Sequence, residues 1–86
     1  MKIKDGYLLK SVAGNQIVVP VGDLNFDGLI SLNESGALLW RTMEHECTKE
    51  DLICALTEVY DISEEIANAD VSAFLLRLQN AGLLDE

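Results

Sequence analysis

A short apolar strand runs directly into a capped helix in the stretch GLISLNESGALLW, residues 28–40. The apolar residues Leu29 to Leu32 predict the strand. Asn33 ends it, because its side chain is suited to cap a helix N-terminus, and the carboxylate of Glu34 complements the positive end of the helix dipole. This junction decides the fold, because it fixes where the sheet stops and the helical part of the chain begins.

Two further strands are predicted on the N-terminal side of the junction. Residues 7–12 and 16–21 are rich in β-branched and apolar side chains, and Gly14-Asn15 between them is a two-residue hairpin signal. Pro20 lacks an N–H, so we expect it at an edge or at the end of its strand. A polar loop, residues 22–27, then leads to the third strand.

Three helices are predicted on the C-terminal side. The first spans about residues 34–43 and the second about residues 49–60, the latter opened by Thr48 in a near capping box. The third starts after Ser63 and stops at Gly82 in a Schellman C-cap. The order of elements predicts one α+β domain over the whole chain, residues 1–86, with the helices packed on one face of a three-stranded antiparallel sheet.

The third helix carries two apolar stripes when its residues are placed about 100° apart around the axis. The broad stripe, predicted to face the core, comprises Ala67, Val71, Phe74, Leu75, Leu78 and Ala81. The narrow stripe comprises Ile66, Ala69, Ala73 and Leu76, and it is flanked by Asp70 and Arg77. Its alanines would leave a shallow groove floor that another backbone could approach. Periodicity alone nevertheless favours burial of both stripes in so thin a domain.

Composition and charge narrow the class of function. The chain has 86 residues, 49% of them hydrophobic and 24% charged, which is typical of one small globular domain. Its net charge of −9 makes nucleic acid and anionic membrane poor partners, and a peptide or protein with basic patches a better one. No apolar run has the length of a membrane span or a signal peptide, so a cytoplasmic location is expected.

The two cysteines and the single histidine do not indicate a catalytic or zinc site. Cys47 and Cys54 are too few for a disulfide scaffold and are predicted to be free thiols, with Cys54 inside the apolar pattern of the second helix. His45 lacks the spacing of a base–nucleophile pair, and the three residues together lack a fourth zinc ligand at the usual spacing. The sequence therefore predicts a non-enzyme that has no cofactor.

The loop before the third strand offers an alternative function. Residues 23–34 match the calcium-loop pattern D-x-[DN]-x-[DN]-G-x5-E in full, with candidate ligands Asp23, Asn25, Asp27, Leu29 through its carbonyl, and Glu34. A true EF-hand needs an entering helix, whereas residues 16–21 are β-prone and include a proline. Turns also favour Asp, Asn and Gly for their own reasons, so the calcium interpretation is the weaker one.

The chain resembles the PqqD family over nearly its whole length. The most specific pieces are LNESG followed by LW, residues 32–36 and 39–40; LTEVYDI, residues 56–62; and the closing DV, FL and AGLL, residues 70–71, 74–75 and 81–84. They occur in the order of the family and at about its spacing. The resemblance implies a three-stranded sheet and three helices arranged like a winged helix-turn-helix. A winged helix that reads DNA is disfavoured, because Arg77 is the only cation of the third helix.

The resemblance also implies a function. Family members are small recognition elements that bind the leader segment of ribosomally made precursor peptides and present it to a modifying enzyme, such as a radical SAM maturase. They bind the leader as an extra strand against the third strand, over the third helix. On this chain that mode implicates the backbones of Leu29, Ile30, Ser31 and Leu32, and the side chains of Ile66, Ala69, Asp70, Ala73, Leu76 and Arg77. The pathway stays open, and a homodimer is a further possible assembly.

Overall fold

Five strands and three helices make up residues 1–21 and 30–85, the part of the chain that the computed structural model describes. The strands are β1 (Lys2–Ile3), β2 (Tyr7–Val12), β3 (Asn15–Pro20), β4 (Ile30–Leu32) and β5 (Leu84–Asp85), and the helices are α1 (Glu34–Thr42), α2 (Lys49–Val59) and α3 (Glu64–Asn80). Strands β2, β3 and β4 form an antiparallel sheet in that order. The predicted fold class, α+β with a three-stranded antiparallel sheet followed by three helices, is confirmed.

The hairpin between β2 and β3 turns one residue earlier than the sequence predicted. Val12 pairs with Asn15, so Ala13 and Gly14 form the turn, with φ angles of 51° and 82°. Positive φ at both central positions is the mark of a type I′ turn, which favours glycine second. Gly14 takes that second position, and Asn15, which we had placed in the turn, opens β3 instead.

This turn fixes which backbone groups of β3 face β4. A two-residue hairpin closes on a hydrogen-bonded pair, and hydrogen-bonded and non-hydrogen-bonded pairs then alternate along the ladder. Odd-numbered residues of β3 therefore direct their N–H and C=O groups toward β2, and even-numbered residues direct theirs toward β4. Pro20 pairs with Tyr7 at a position that needs no N–H toward β2, and it is the last residue of β3, as expected.

The hydrophobic core lies between this sheet and the three helices. Trp40 lies at the centre of this core and is 1% exposed, as expected for a core anchor. The other buried apolar residues from the sheet and the helices are Val18, Leu32, Ala37, Leu39, Met43, Leu52, Leu56, Ala67, Val71, Phe74 and Leu78. The broad stripe is thus the core face of α3, except that Ala81 is exposed because it is the C-cap residue that follows the last turn.

The predicted Schellman cap ends α3 and directs the chain back toward the N-terminal strand β1. The Leu83 N–H donates to the Leu78 carbonyl at 2.9 Å and the Gly82 N–H to the Gln79 carbonyl at 3.1 Å, which is the hydrogen-bond pattern of that motif. Gly82 takes a φ of 73°, which suits glycine. The buried side chain of Leu83 follows, and β5 pairs with β1 in a two-stranded antiparallel sheet. Sequence analysis missed this second sheet, because each of its strands has only two residues.

Both cysteines are free thiols, as expected, but Cys54 is not buried as the sequence predicted. Cys47 is buried, and burial raises the pKa of its thiol. Cys54 is exposed, and a hydrogen bond to the Glu58 carboxylate raises its pKa. The prediction that Cys54 packs among apolar residues was wrong, because Leu52 and Leu56 supply the buried positions of α2.

Candidate functional site

Strand β4 forms one edge of the three-stranded sheet, and no strand among residues 1–21 and 30–85 pairs with its outer side. Ile30 and Leu32 pair with even-numbered residues of β3, so their backbone groups form the ladder. Ser31 lies between Ile30 and Leu32 and is opposite Ile17, with which it forms a non-hydrogen-bonded pair. The N–H and C=O of Ser31 therefore point away from β3. An edge of this kind can accept a further strand.

Helix α3 reaches this free edge through Arg77. Its Nη2 atom donates a hydrogen bond to the carbonyl oxygen of Ser31 at 2.9 Å. Both residues are exposed, and 46 positions separate them along the chain. The fold therefore brings together two of the segments in which sequence analysis placed site residues.

An open groove lies between α3, the end of β4 and the start of α1. Its first part, a depression of about 300 Å³, is lined by Asn33, Ser35, Gly36, Leu39, Asp70, Ala73, Phe74 and Arg77. A second part of about 390 Å³ adjoins it and is lined by Asn33, Glu34, Ser35, Leu56, Tyr60, Ile62 and Asp70. The two parts share three lining residues, so we treat them as one groove, the α3 groove.

The start of α1 shapes the rim of the α3 groove. The side-chain oxygen of Asn33 accepts hydrogen bonds from the Gly36 N–H at 2.8 Å and from the Ser35 hydroxyl at 3.1 Å, as predicted for a helix cap. A Cβ atom on Gly36 would lie 3.1 Å from that oxygen and 3.3 Å from the Cβ atom of Leu32. Glycine at this position therefore lets α1 begin directly against β4.

The narrow stripe of α3 is exposed, which corrects the expectation from periodicity that both stripes are buried. Ile66 and Leu76 are 52% and 58% exposed, and Ala69 and Ala73 are exposed as well. The reason is that the hydrophobic core shared with the sheet, α1 and α2 includes residues of the broad stripe only. Of the predicted side chains, Ala73 lines the α3 groove together with the flanking Asp70 and Arg77, whereas Ile66, Ala69 and Leu76 do not line it.

The α3 groove combines an apolar floor with charges of both signs. Phe74 and Leu39 are buried beneath it. Arg77 is the only basic residue of its lining, and Asp70 and Glu34 are exposed acidic residues along it. Neither carboxylate forms an ion pair with a residue that the structure describes. Such a surface can hold apolar side chains and pair with charges at fixed positions.

Sequence analysis missed several groove residues. The reason is that the predicted site comprised only the third strand and the third helix, whereas the N-terminus of α1 and the end of α2 also line the groove. The missed residues are Asn33, Ser35, Gly36, Leu39, Leu56, Tyr60, Ile62 and Phe74. Most of them belong to the pieces LNESG and LTEVYDI on which the family resemblance rests, which is the signal that could have identified them.

Part of the predicted site lies outside the described residues. This applies to Leu29, and to Asp23, Asn25 and Asp27 of the calcium-loop pattern. Glu34, the last residue of that pattern, is the exposed first residue of α1. Within residues 1–21 and 30–85, no three His, Cys, Asp or Glu side chains come together as a metal-binding group. Of the helices described, none combines the length and apolar character needed to cross a bilayer.

Comparison with known proteins gives two matches. The family described as coenzyme PQQ synthesis protein D (PqqD) matches residues 23–84. A solved structure of TbiB1 in complex with the TbiA(beta) leader peptide matches with a TM-score of 0.78 at 22% sequence identity, covering 99% of this chain and 95% of that chain. At this identity the structural match establishes a shared fold. No curated protein matches the sequence.

Proposed function

This chain belongs to the PqqD family, and from that premise we propose that it is a non-catalytic adaptor for a precursor peptide. It captures the leader segment of a ribosomally made peptide by strand addition at β4 and presents it to a modifying enzyme, such as a radical SAM maturase. The observation that carries the proposal is the free backbone edge at Ser31, next to an exposed groove on α3. In the structure that shares this fold, TbiB1 holds a leader peptide, and we extend that type of partner to this chain.

Backbone pairing at β4 gives a general way to hold a peptide. Hydrogen bonds to a strand edge place little demand on the peptide sequence, so many leaders could use them. Each such bond contributes about 0.5–1.5 kcal/mol net. Strand β4 is only three residues long, so its edge offers few of these bonds. Most of the affinity must then come from side chains.

The α3 groove can supply that affinity. Full burial of one large apolar side chain contributes about 1.5–3 kcal/mol, so two such side chains on the peptide would outweigh the edge hydrogen bonds. Leu39 and Phe74 form the floor near β4, and Leu56, Tyr60 and Ile62 form the far part.

The test is an NMR titration of the ¹⁵N-labelled protein with the leader of the precursor peptide encoded near this gene. We expect amide shifts at residues 29–32 and 69–77, where backbone pairing and groove contacts occur. A scrambled leader of the same composition is the control and should produce no saturable shifts. Shifts confined to other regions would contradict strand addition at β4. A maturase gene beside a short precursor reading frame would identify both partners.

A further inference from the structure

Arg77 occupies the backbone acceptor that an added strand would use. Its guanidinium donates to the Ser31 carbonyl at 2.9 Å, and that carbonyl points to the free edge. A peptide strand that pairs with Ser31 brings its own N–H to the same oxygen. That oxygen has a second lone pair for the peptide N–H, and the guanidinium, which is always charged and carries five N–H donors, has donors left for a group on the peptide.

A carboxylate on the peptide is the best acceptor for the remaining donors of the guanidinium. Hydrogen bonds between two charged groups are about twice as strong as neutral ones, and a carboxylate can accept two of them from arginine. The neighbouring acidic residue of the groove, Asp70, does not form an ion pair with Arg77 in this structure. Seven positions separate it from Arg77, which is about 10 Å along the helix at 1.5 Å per residue.

Asp70 is exposed and offers its carboxylate to a cation that the groove does not supply. It has no ion-pair partner among the described residues, and Arg77 is the only basic residue of the groove lining. An extended peptide rises about 3.3 Å per residue, so the separation of the two charges corresponds to about three peptide residues. The reach of flexible side chains widens this to a range of about two to four residues.

We infer that the α3 groove selects peptides with two opposite charges in a fixed order along the groove. An acidic residue of the peptide lies beside β4, and a basic residue two to four positions away lies against Asp70. This rests on the proposed peptide-binding function and adds the order of charges that the peptide must carry. Arg77 and Asp70 act as specificity-determining residues, because a peptide shifted along the groove would bring its acidic residue toward Asp70 and be repelled. The net charge of −9 alone favours only a generally basic partner.

A phage-displayed library of random dodecapeptides tests this order. It is selected on the wild-type protein, on Arg77→Gln, on Asp70→Asn and on the control Arg41→Gln. Arg41, in the last turn of α1, is exposed and does not line the α3 groove. We expect the wild type and Arg41→Gln to enrich the acidic-to-basic spacing. Arg77→Gln should lose the acidic preference alone, and Asp70→Asn the basic preference alone.

Fluorescence anisotropy with one selected peptide then measures the coupling. Replacing the acidic residue of the peptide by glutamine should weaken binding to the wild type about two- to fivefold and to Arg77→Gln less than about 1.5-fold, as expected for a solvated charge pair. Arg77→Lys should keep most of the acidic preference, and Arg77→Met, which also removes the charge, replaces Arg77→Gln in the cycle if the latter fails to fold.

The outcomes separate this inference from the proposed function. Peptides enriched without a charge order, or with the same order on Arg77→Gln, would overturn the inference and leave the adaptor function standing. Failure to enrich any peptide on the wild type would contradict both.

Discussion

On one face of α3, Ala67, Val71 and Leu78 are completely buried, whereas on the other Ile66 and Leu76 expose more than half of their surface. Both faces are apolar, so side-chain chemistry alone does not distinguish them. The difference comes from packing, because residues of the broad stripe join the sheet, α1 and α2 in the hydrophobic core, and none of the narrow stripe does so in the part of the chain described. The same helix thus stabilises the fold through its buried face and presents exposed apolar side chains on the opposite face. Exposed apolar residues beside a free strand edge are typical of an interaction site.

Two leucines of α3 test this contrast with the same substitution, and here we expect the largest effect on stability. Leu78 is completely buried and Leu76 is 58% exposed. Leu78→Ala should lower the free energy of unfolding by about 2–5 kcal/mol, because it removes buried surface and leaves a cavity. Leu76→Ala should change it by about 0.5 kcal/mol or less.

Urea denaturation monitored by Trp40 fluorescence measures both values. Equal destabilisation by the two substitutions would show that both faces of α3 are core, and the contrast would fail.

A charge placed in the groove tests whether the narrow stripe is open to solvent. Ala73 is exposed and lines the α3 groove. Ala73→Glu should leave the melting temperature nearly unchanged, because glutamate forms helices well, while it weakens leader binding by more than about tenfold through bulk and charge. Asn68→Glu adds the same charge at an exposed position of α3 outside the groove and should not weaken binding. A circular-dichroism melt in which Ala73→Glu is unfolded would show that the stripe is buried.

Proline substitutions in β4 test the strand edge with a somewhat smaller expected effect on binding. The Ser31 N–H points away from β3, so Ser31→Pro should preserve the sheet, remove the outward donor and weaken leader binding about five- to tenfold. Ile30→Pro instead removes a donor to β3 and should destabilise the protein. Thermal melts and peptide titrations of the two variants distinguish these results. Unchanged binding by a folded Ser31→Pro protein would argue against strand addition at Ser31.

The two faces of α3 also show how much of the structure could be predicted from the sequence. Capping residues such as Asn33, Thr48 and Ser63 fix the helix starts, so α1, α2 and α3 could be predicted almost to the residue. Helical periodicity identified both stripes of α3. It could not tell which one is covered, because coverage depends on where distant elements pack.

The same reason explains what sequence analysis missed in the site. The contact between Arg77 and Ser31, and the contribution of Tyr60 and Ile62 to the groove, depend on long-range packing. The predicted hairpin turn differs by one residue from the observed one, because glycine can occupy more than one turn position. Only strand pairing selects between these positions. Local signals therefore predicted the elements, and tertiary contacts determined the site.

The smallest expected effect concerns calcium, which would give the chain a binding site independent of α3. An EF-hand loop needs an entering helix, whereas the described chain before the loop is strand β3, which ends at Pro20. We therefore expect no binding tighter than about 1 mM by calorimetry, the weak end for such loops. At 1 mM calcium the stabilisation would then be at most about 0.4 kcal/mol, which is a shift of less than about 3 °C in melting temperature. Submillimolar binding that Asp23→Ala abolishes and the control Asp5→Ala retains would contradict this expectation and make residues 23–34 a second functional site.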